Sequence, residues 1–304
     1  MTYVATLICN PKTPVLTEAL LRAAAAVLPR VQTVQWLDQG VAADIVFAPE
    51  KPAKARDFAD RARTAIGDAG IDVIAQAAQG RRKKLLLADM DSTMIGQECI
   101  DELAEEIGKK AHVAAITERA MRGEIAFEPA LRERVALLKG LDPRVVAHVI
   151  ENKIKVTPGA RALVATMRRH GAHTALISGG FSVFTSPVAA MIGFDEDRAN
   201  TILLGDDGRF SGLVAEPILG RAGKRAALLN LREAYACAPG ETLAVGDGAN
   251  DLAMLEEAGL GVAYRAKPAV ASAAHARIDY GDLTALLYAQ GYRREEFADD
   301  SLPC

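Results

Sequence analysis

Leu85-Leu86-Leu87-Ala88-Asp89-Met90-Asp91-Ser92-Thr93 is the stretch that decides the fold. Four consecutive apolar residues suit a short parallel strand covered on both faces, where no alternation is needed. The run then stops abruptly in two aspartates and two hydroxyls. The pattern recurs twice: Thr174–Ile177 ends in Ser178-Gly179-Gly180, and Thr242–Val245 ends in Gly246-Asp247-Gly248-Ala249-Asn250-Asp251. Helical periodicity fills the intervals, so this part of the chain predicts α/β architecture with a Rossmann-like parallel sheet. In such sheets ligands bind beyond the carboxyl ends of the strands, and all three polar clusters fall on that edge.

Each cluster has competing readings. An EF-hand would need Gly and Glu where the chain has Met94 and Ile100, so a calcium loop is excluded. Gly246 and Gly248 begin a dinucleotide-like glycine run, but Asp251 stands where a pyrophosphate would approach. Gly223-Lys224 lacks the first Gly and the hydroxyl of a phosphate-binding loop, which have become Ile218 and Arg225. What remains is several acids, one Lys, one Ser and small turns. Asp89 and Asp247 suit a hard cation such as Mg²⁺. Ser178, Lys224 and the N–H groups around Gly179 and Gly180 suit phosphate oxygens. Asp89 and Asp91 are two apart at a strand end, so both can face one site only if the backbone turns there. Asp247 and Asp251 could instead cap the following helix, but three clusters on one sheet edge argue for a site.

Outward from this core, the first eighty residues read differently. Strand-like runs at Tyr3–Cys9, Val31–Leu37, Asp44–Phe47 and Asp72–Ala75 alternate with helical patterns at Leu16–Leu28 and Ala53–Ile66. That order predicts an α+β ferredoxin-like domain over residues 1–80. It carries no cluster with catalytic spacing, so a regulatory or dimerisation role is expected. Arg81-Arg82-Lys83-Lys84 reads as a solvated linker. Between Asp91 and Ser178, helical patterns at Gln97–Ile107, Val113–Arg122, Phe127–Leu138 and Asp142–Glu151 predict an inserted helical cap at about 97–155. Thr201–Leu204 and Phe210–Val214 flank a hairpin turn.

The 304 residues favour two domains. With 36 Lys plus Arg against 39 Asp plus Glu, a net charge of −3 excludes a globally basic nucleic-acid binder. No apolar run approaches the roughly 18 residues that cross a bilayer. Met1–Asn10 lacks signal-peptide features. Cys9, Cys99, Cys237 and Cys304 show no CxxC spacing and read as reduced thiols. A cytoplasmic protein without nucleic-acid or membrane partners is expected.

In order along the chain, Asp89–Thr93, Ser178-Gly179-Gly180, Lys224 and Gly246–Asp251 resemble the four motifs of the haloacid dehalogenase superfamily. Glu98, Ala120–Glu128 and Leu131–Val135 resemble its phosphoserine phosphatase family, over about residues 84–287. The N-terminal part resembles, more weakly, an ACT-like extension. The resemblance implies a core at 84–290 with the cap inserted and a tail at 291–304. It implies that Asp89 attacks phosphorus to form an aspartyl-phosphate and that Asp91 acts as acid and base. Mg²⁺ would be held by Asp89, the main-chain carbonyl of Asp91 and Asp247, with Asp251 behind them. Ser178, Gly179, Gly180 and Lys224 would meet the phosphoryl oxygens, and Asn250 would orient phosphate or water. Glu98 would pair with the substrate ammonium and Arg134 with its carboxylate, while Met121 and Phe127 line the pocket. The implied activity is hydrolysis of O-phospho-L-serine, the last step of L-serine biosynthesis, by a possible homodimer. Transfer of the phosphoryl group to another alcohol, or a different small phosphomonoester, stays open at this point.

Overall fold

A computed structural model describes residues 1–51, 53–121 and 124–298; the side chains of Ala120 and Met121 are outside that description. Tyr3–Cys9 (β1) leads to helix α1 (Glu18–Ala26), whose N-cap Thr17 accepts a hydrogen bond from the Leu20 N–H. Val31–Asp38 (β2) and Ala42–Phe47 (β3) follow, then α2 (Ala55–Ile66) and β4 (Ile71–Ala77). The four strands pair antiparallel in the order β2-β3-β1-β4. That is the ferredoxin-like arrangement. β1 is buried along its whole length because both faces of the sheet are covered. Tyr3, Ala5, Leu7 and Cys9 pack with Leu21, Phe58 and Ala62 of the helices, whereas Ile8, Ala42 and Ile74 pack with the second domain.

The basic segment is only partly solvated: Arg82 and Lys84 are exposed, whereas Arg81 and Lys83 are largely covered, and all four find acceptors. Arg81 lies 2.6 Å from the buried Asp44, Arg82 pairs with Glu296 and Lys84 with Glu241. Lys83 is buried and donates to the Gly240 carbonyl at 2.7 Å, and burial lowers its pKa to about 8. Four adjacent charges are accommodated because the N-terminal sheet offers an acceptor to Arg81 and the neighbouring domain offers one to each of the other three.

The second domain begins with β5 (Leu85–Ala88). Four cap helices come next: α3 (Cys99–Glu106), α4 (Lys110–Met121), α5 (Phe127–Ala136) and α6 (Val145–Asn152). The cap is entered and left through one short antiparallel pairing. Ile95 bridges Val156, the Gly96 N–H donates to Lys155, and the Thr157 N–H donates to Met94. After α7 (Ala160–Arg169) come β6 (His173–Phe181), α8 (Ser182–Ile192) and β7 (Glu196–Asn200). The hairpin is β8 (Ile202–Leu204) with β9 (Phe210–Val214). Then follow α9 (Arg221–Ala234), β10 (Thr242–Gly246), α10 (Leu252–Glu257), β11 (Leu260–Tyr264) and β12 (Ala276–Ile278).

The main sheet is six-stranded, in the order β12-β11-β10-β5-β6-β7, with every pairing parallel. Three of its strands escaped the sequence reading. Glu196-Asp197-Arg198-Ala199-Asn200 is too polar to announce a strand, and it sits at a half-buried sheet edge. β12 is only three residues long. β11 carries a glycine at its second position, which weakens a strand signal. Packed structure also continues past residue 291, since Tyr292 and Phe297 are buried beside Tyr288. Among the described residues no helix is long and apolar enough to cross a membrane.

Candidate active site

Sheet register places the three polar clusters together. Leu85–Ala88 lies opposite Thr242–Val245 on one side and His173–Leu176 on the other. Asp89, Ser178 and Asp247 therefore leave the sheet at one edge, on adjacent strands. Asp89 continues extended, with its N–H donating to the Val245 carbonyl at 3.0 Å. Two residues after it Asp91 is still extended (φ −65, ψ 138), and then Ser92 adopts φ +54. A non-glycine residue in the left-handed region is uncommon. Here it turns the chain off the strand direction directly after Asp91.

Lys224 is the centre of charge. It is completely buried, and its Nζ lies 2.6 Å from Asp89 Oδ1 and 2.6 Å from Asp251 Oδ1. Burial alone would lower its pKa, but Asp251 and Asp89 outweigh that and hold it above its ordinary value, so the ammonium stays charged. Burial pushes the Asp89 carboxyl well up, Asp251 adds to this, and the Lys224 contact opposes it. Asp251 stands at the N-cap of α10 yet caps no N–H of that helix. Its second oxygen accepts from the Gly248 N–H at 2.9 Å. Gly246 leaves room for this inward carboxylate, since a Cβ there would overlap it. The helix-capping reading is thus replaced by an ion pair.

Oxygens of Asp89, Asp247 and Asp251 lie within 4.8 Å of one another. Asp247 also accepts from the Thr93 hydroxyl at 3.3 Å, and burial, then Asp251 and Glu98, raise its pKa to about 7. Three carboxylates against one ammonium leave excess negative charge in a buried place. An all-oxygen donor set with that charge fits a hard divalent cation. The carboxylate of Asp91 is not part of this cluster. It faces the Gly180 turn and the cap, accepting from the Cys99 N–H at 3.4 Å. Burial and then the charge of Glu98 raise its pKa to about 7.

Ser178 is buried, and its Oγ accepts from the Gly180 N–H at 2.8 Å, which shapes the turn. Asn250 lies beside that turn, 3.5 Å from where a Cβ on Gly179 would stand. Phe127, the first residue of α5, reaches down from the cap onto Gly179. Glu98 accepts from the Ser92 hydroxyl at 2.6 Å, and burial raises its pKa. Arg134 is half-buried on α5, donating to Ala130 and Thr117, with Asp101, Glu98 and Asp91 as its nearest opposing charges. The cap thus brings Glu98 and Arg134 to the side of Asp91. Met121 falls outside the described side chains.

Asn200 is a functional residue that no sequence signal marks. It is buried at the end of β7, and its Nδ2 donates to the carbonyls of Gly179 at 2.9 Å and Leu219 at 3.2 Å. Its Oδ1 accepts from the Leu219 N–H at 2.6 Å. One amide therefore ties the Ser178 turn to the loop that launches Lys224. A lone Asn in a polar stretch carries no signal of such a role. Thr93 was inside the decisive motif, but only the fold shows it against Asp247.

Residues 86–256 match the haloacid dehalogenase-like hydrolase family, and the chain belongs to it. It is 43% identical over 229 residues to a phosphoserine phosphatase of Streptomyces coelicolor, covering 75% of this chain and 55% of that protein. The chain thus spans about half the length of that relative. A haloacid dehalogenase family hydrolase of Salmonella enterica serovar Typhi superposes with a TM-score of 0.83 at 28% identity, covering 95% of this chain and 98% of that one. A phosphoserine phosphatase solved as a phospho-aspartyl intermediate analogue is 37% identical, with a TM-score of 0.63 over 68% of this chain and 98% of that one.

Proposed function

We propose that this chain is a magnesium-dependent phosphoserine phosphatase that hydrolyses O-phospho-L-serine to L-serine and phosphate. The observation that carries the reading is the buried Lys224 bridging Asp89 and Asp251, at an edge that also presents Ser178 and Asp247. The phosphoserine phosphatase relatives support the choice of substrate.

Asp89 is the nucleophile. One of its oxygens bonds to phosphorus as the bond to the serine oxygen breaks, giving an aspartyl-phosphate. Asp91, whose raised pKa leaves it partly protonated near neutrality, donates its proton to the departing serine oxygen. The resulting carboxylate then takes a proton from water, whose oxygen attacks phosphorus and releases Asp89. Lys224, Ser178 and the Gly179 N–H face the phosphoryl oxygens, where preorganised donors stabilise developing charge, and the Gly180 N–H holds the Ser178 hydroxyl in place. Asn250 orients the phosphate or the water. Glu98 binds the substrate ammonium, and Arg134 meets its carboxylate with a planar guanidinium. Phe127 closes the pocket wall against water.

Asp89, Asp247 and the main-chain carbonyl of Asp91 would hold the Mg²⁺. Both oxygens of Asp251 already accept hydrogen bonds, which suits it to brace Lys224 and the Gly248 turn behind those ligands. The cation supplies the positive charge that lets an anionic nucleophile approach an anionic phosphate. The N-terminal sheet has one face on its helices and the other on the catalytic domain. Its exposed edge strand β2, or the helices, therefore offer the surface for a homodimer. The expected location is the cytoplasm.

Phosphate release from a panel of phosphomonoesters, with and without Mg²⁺, tests the reading. Phosphoserine is expected to be hydrolysed with the highest kcat/KM, and a chelator to stop turnover until Mg²⁺ is restored. Preference for another ester would overturn the substrate, and activity untouched by chelator would overturn the metal role. Phosphate appearing on an added alcohol rather than free would make the enzyme a transferase.

A further inference from the structure

Gly220 raises a question that the catalytic chemistry leaves unanswered. Its backbone is extended (φ −111, ψ −155), a conformation open to any residue, so no turn requires glycine there. Space requires it instead. A Cβ on Gly220 would lie 3.1 Å from Cδ1 and 3.2 Å from Cε1 of Phe127, and no other described atom beyond its chain neighbours stands within 4 Å of that point. On the other side, a Cβ on Gly179 would lie 3.2 Å from Cζ of the same ring. The ring at the start of α5 thus rests on two bare Cα positions, contributed by two different loops of the catalytic domain.

Those loops do not move independently. Asn200 joins the Gly179 carbonyl to both main-chain polar groups of Leu219, the residue before Gly220. The Gly220 carbonyl in turn accepts the N–H of Lys224 at 2.9 Å, the first bond of α9. One side of the seat therefore carries the Ser178 turn and the other carries the catalytic lysine. Protein interiors transmit changes of a few tenths of an ångström because they are close-packed.

We propose that Gly220, with Gly179, is the seat on which Phe127 closes the cap, and that the missing side chain at 220 sets the depth of closure. Gly220 touches neither substrate nor reacting atoms on this reading; it is a positioning residue acting through Phe127. The proposal rests on the phosphatase reading for its kinetic consequences only. A Cβ at 220 lifts the ring, and the cap carrying Glu98 and Arg134 rises with it. Phosphoserine binding then weakens while Asp89, Asp91 and Lys224 keep their places.

The test compares Gly220→Ala, Phe127→Leu and the double variant. Gly220→Ala should raise KM for phosphoserine about tenfold, as a modest overpacking clash does, with kcat changing much less. Phe127→Leu shortens the group that collides, so adding Gly220→Ala to it should cost less than twofold further. Main-chain hydrogen exchange of residues 127–136 should be faster in Gly220→Ala than in the unaltered chain, and this arm needs no turnover. An unchanged KM and exchange rate in Gly220→Ala would overturn the seat, as would multiplicative effects in the double variant. If the unaltered chain did not hydrolyse phosphoserine, the functional reading would fail, and exchange alone would decide the seat.

Discussion

The carboxylate of Asp72, on the last strand of the N-terminal sheet, accepts the main-chain N–H of Gly281 in the catalytic domain at 2.7 Å. It also accepts from Asp279 at 2.7 Å and from Tyr280, so one side chain satisfies a whole turn of its neighbour. The adjoining Leu283 N–H donates to Pro158, at the exit of the cap, and Gly159 beside it has no room for a side chain against Thr284. The N-terminal domain is thereby fastened to the segment that borders the cap hinge.

Asp72 makes stability depend on pH. Burial raises its pKa from 3.8 to about 6, with the three N–H groups opposing. The folded chain therefore holds this proton more tightly than the unfolded chain does. Its favourable contribution is complete below about pH 4 and is lost as pH rises through about 6. Asp72→Asn should flatten that slope, and at neutral pH should destabilise by about 1–3 kcal/mol through mismatched hydrogen bonds. Urea unfolding at several pH values measures both; an unchanged pH slope would show that Asp72 does not titrate in this window.

Asp89→Asn removes the nucleophile while keeping shape. Turnover should fall by at least about 10³-fold with the thermal unfolding midpoint close to that of the unaltered chain. Retention of a tenth of the activity would exclude an aspartyl-phosphate at Asp89.

Lys224→Ala should damage structure as well as chemistry. It strands Asp89 and Asp251 as buried carboxylates without their counter-charge, a loss of roughly 3–5 kcal/mol. Denaturant titration should show this alongside abolished turnover. Undiminished stability would mean that the two acids are accommodated without the lysine.

Arg134→Ala separates binding from chemistry. Loss of a charged hydrogen-bond donor to the substrate carboxylate should raise KM for phosphoserine roughly 10–100-fold. Hydrolysis of an aryl phosphate, which has no carboxylate, should change little. Equal losses on both would place Arg134 elsewhere in the mechanism.

Much of this was legible from residues alone. Short apolar runs ending in Asp89, Ser178 and Asp247 reveal a parallel sheet and its working edge, because burial on both faces removes alternation and leaves an abrupt polar stop. Ferredoxin-like order in the first eighty residues follows from period and punctuation in the same way. Weak local signals failed: β7 is polar because it lies at a half-buried edge, and Arg81–Lys84 looked solvated because its partners lie in distant segments.

The order of the motifs along the chain determined the family and the kinds of chemistry available at Asp89, Asp91 and Lys224. Only the tertiary structure decided which groups touch. It turned Asp251 toward Lys224 rather than toward its own helix, set Asn200 between two loops, and put Phe127 on Gly220. The reason is physical: local sequence constrains backbone conformation and burial, whereas contacts between distant segments depend on how whole elements pack, which no short stretch encodes.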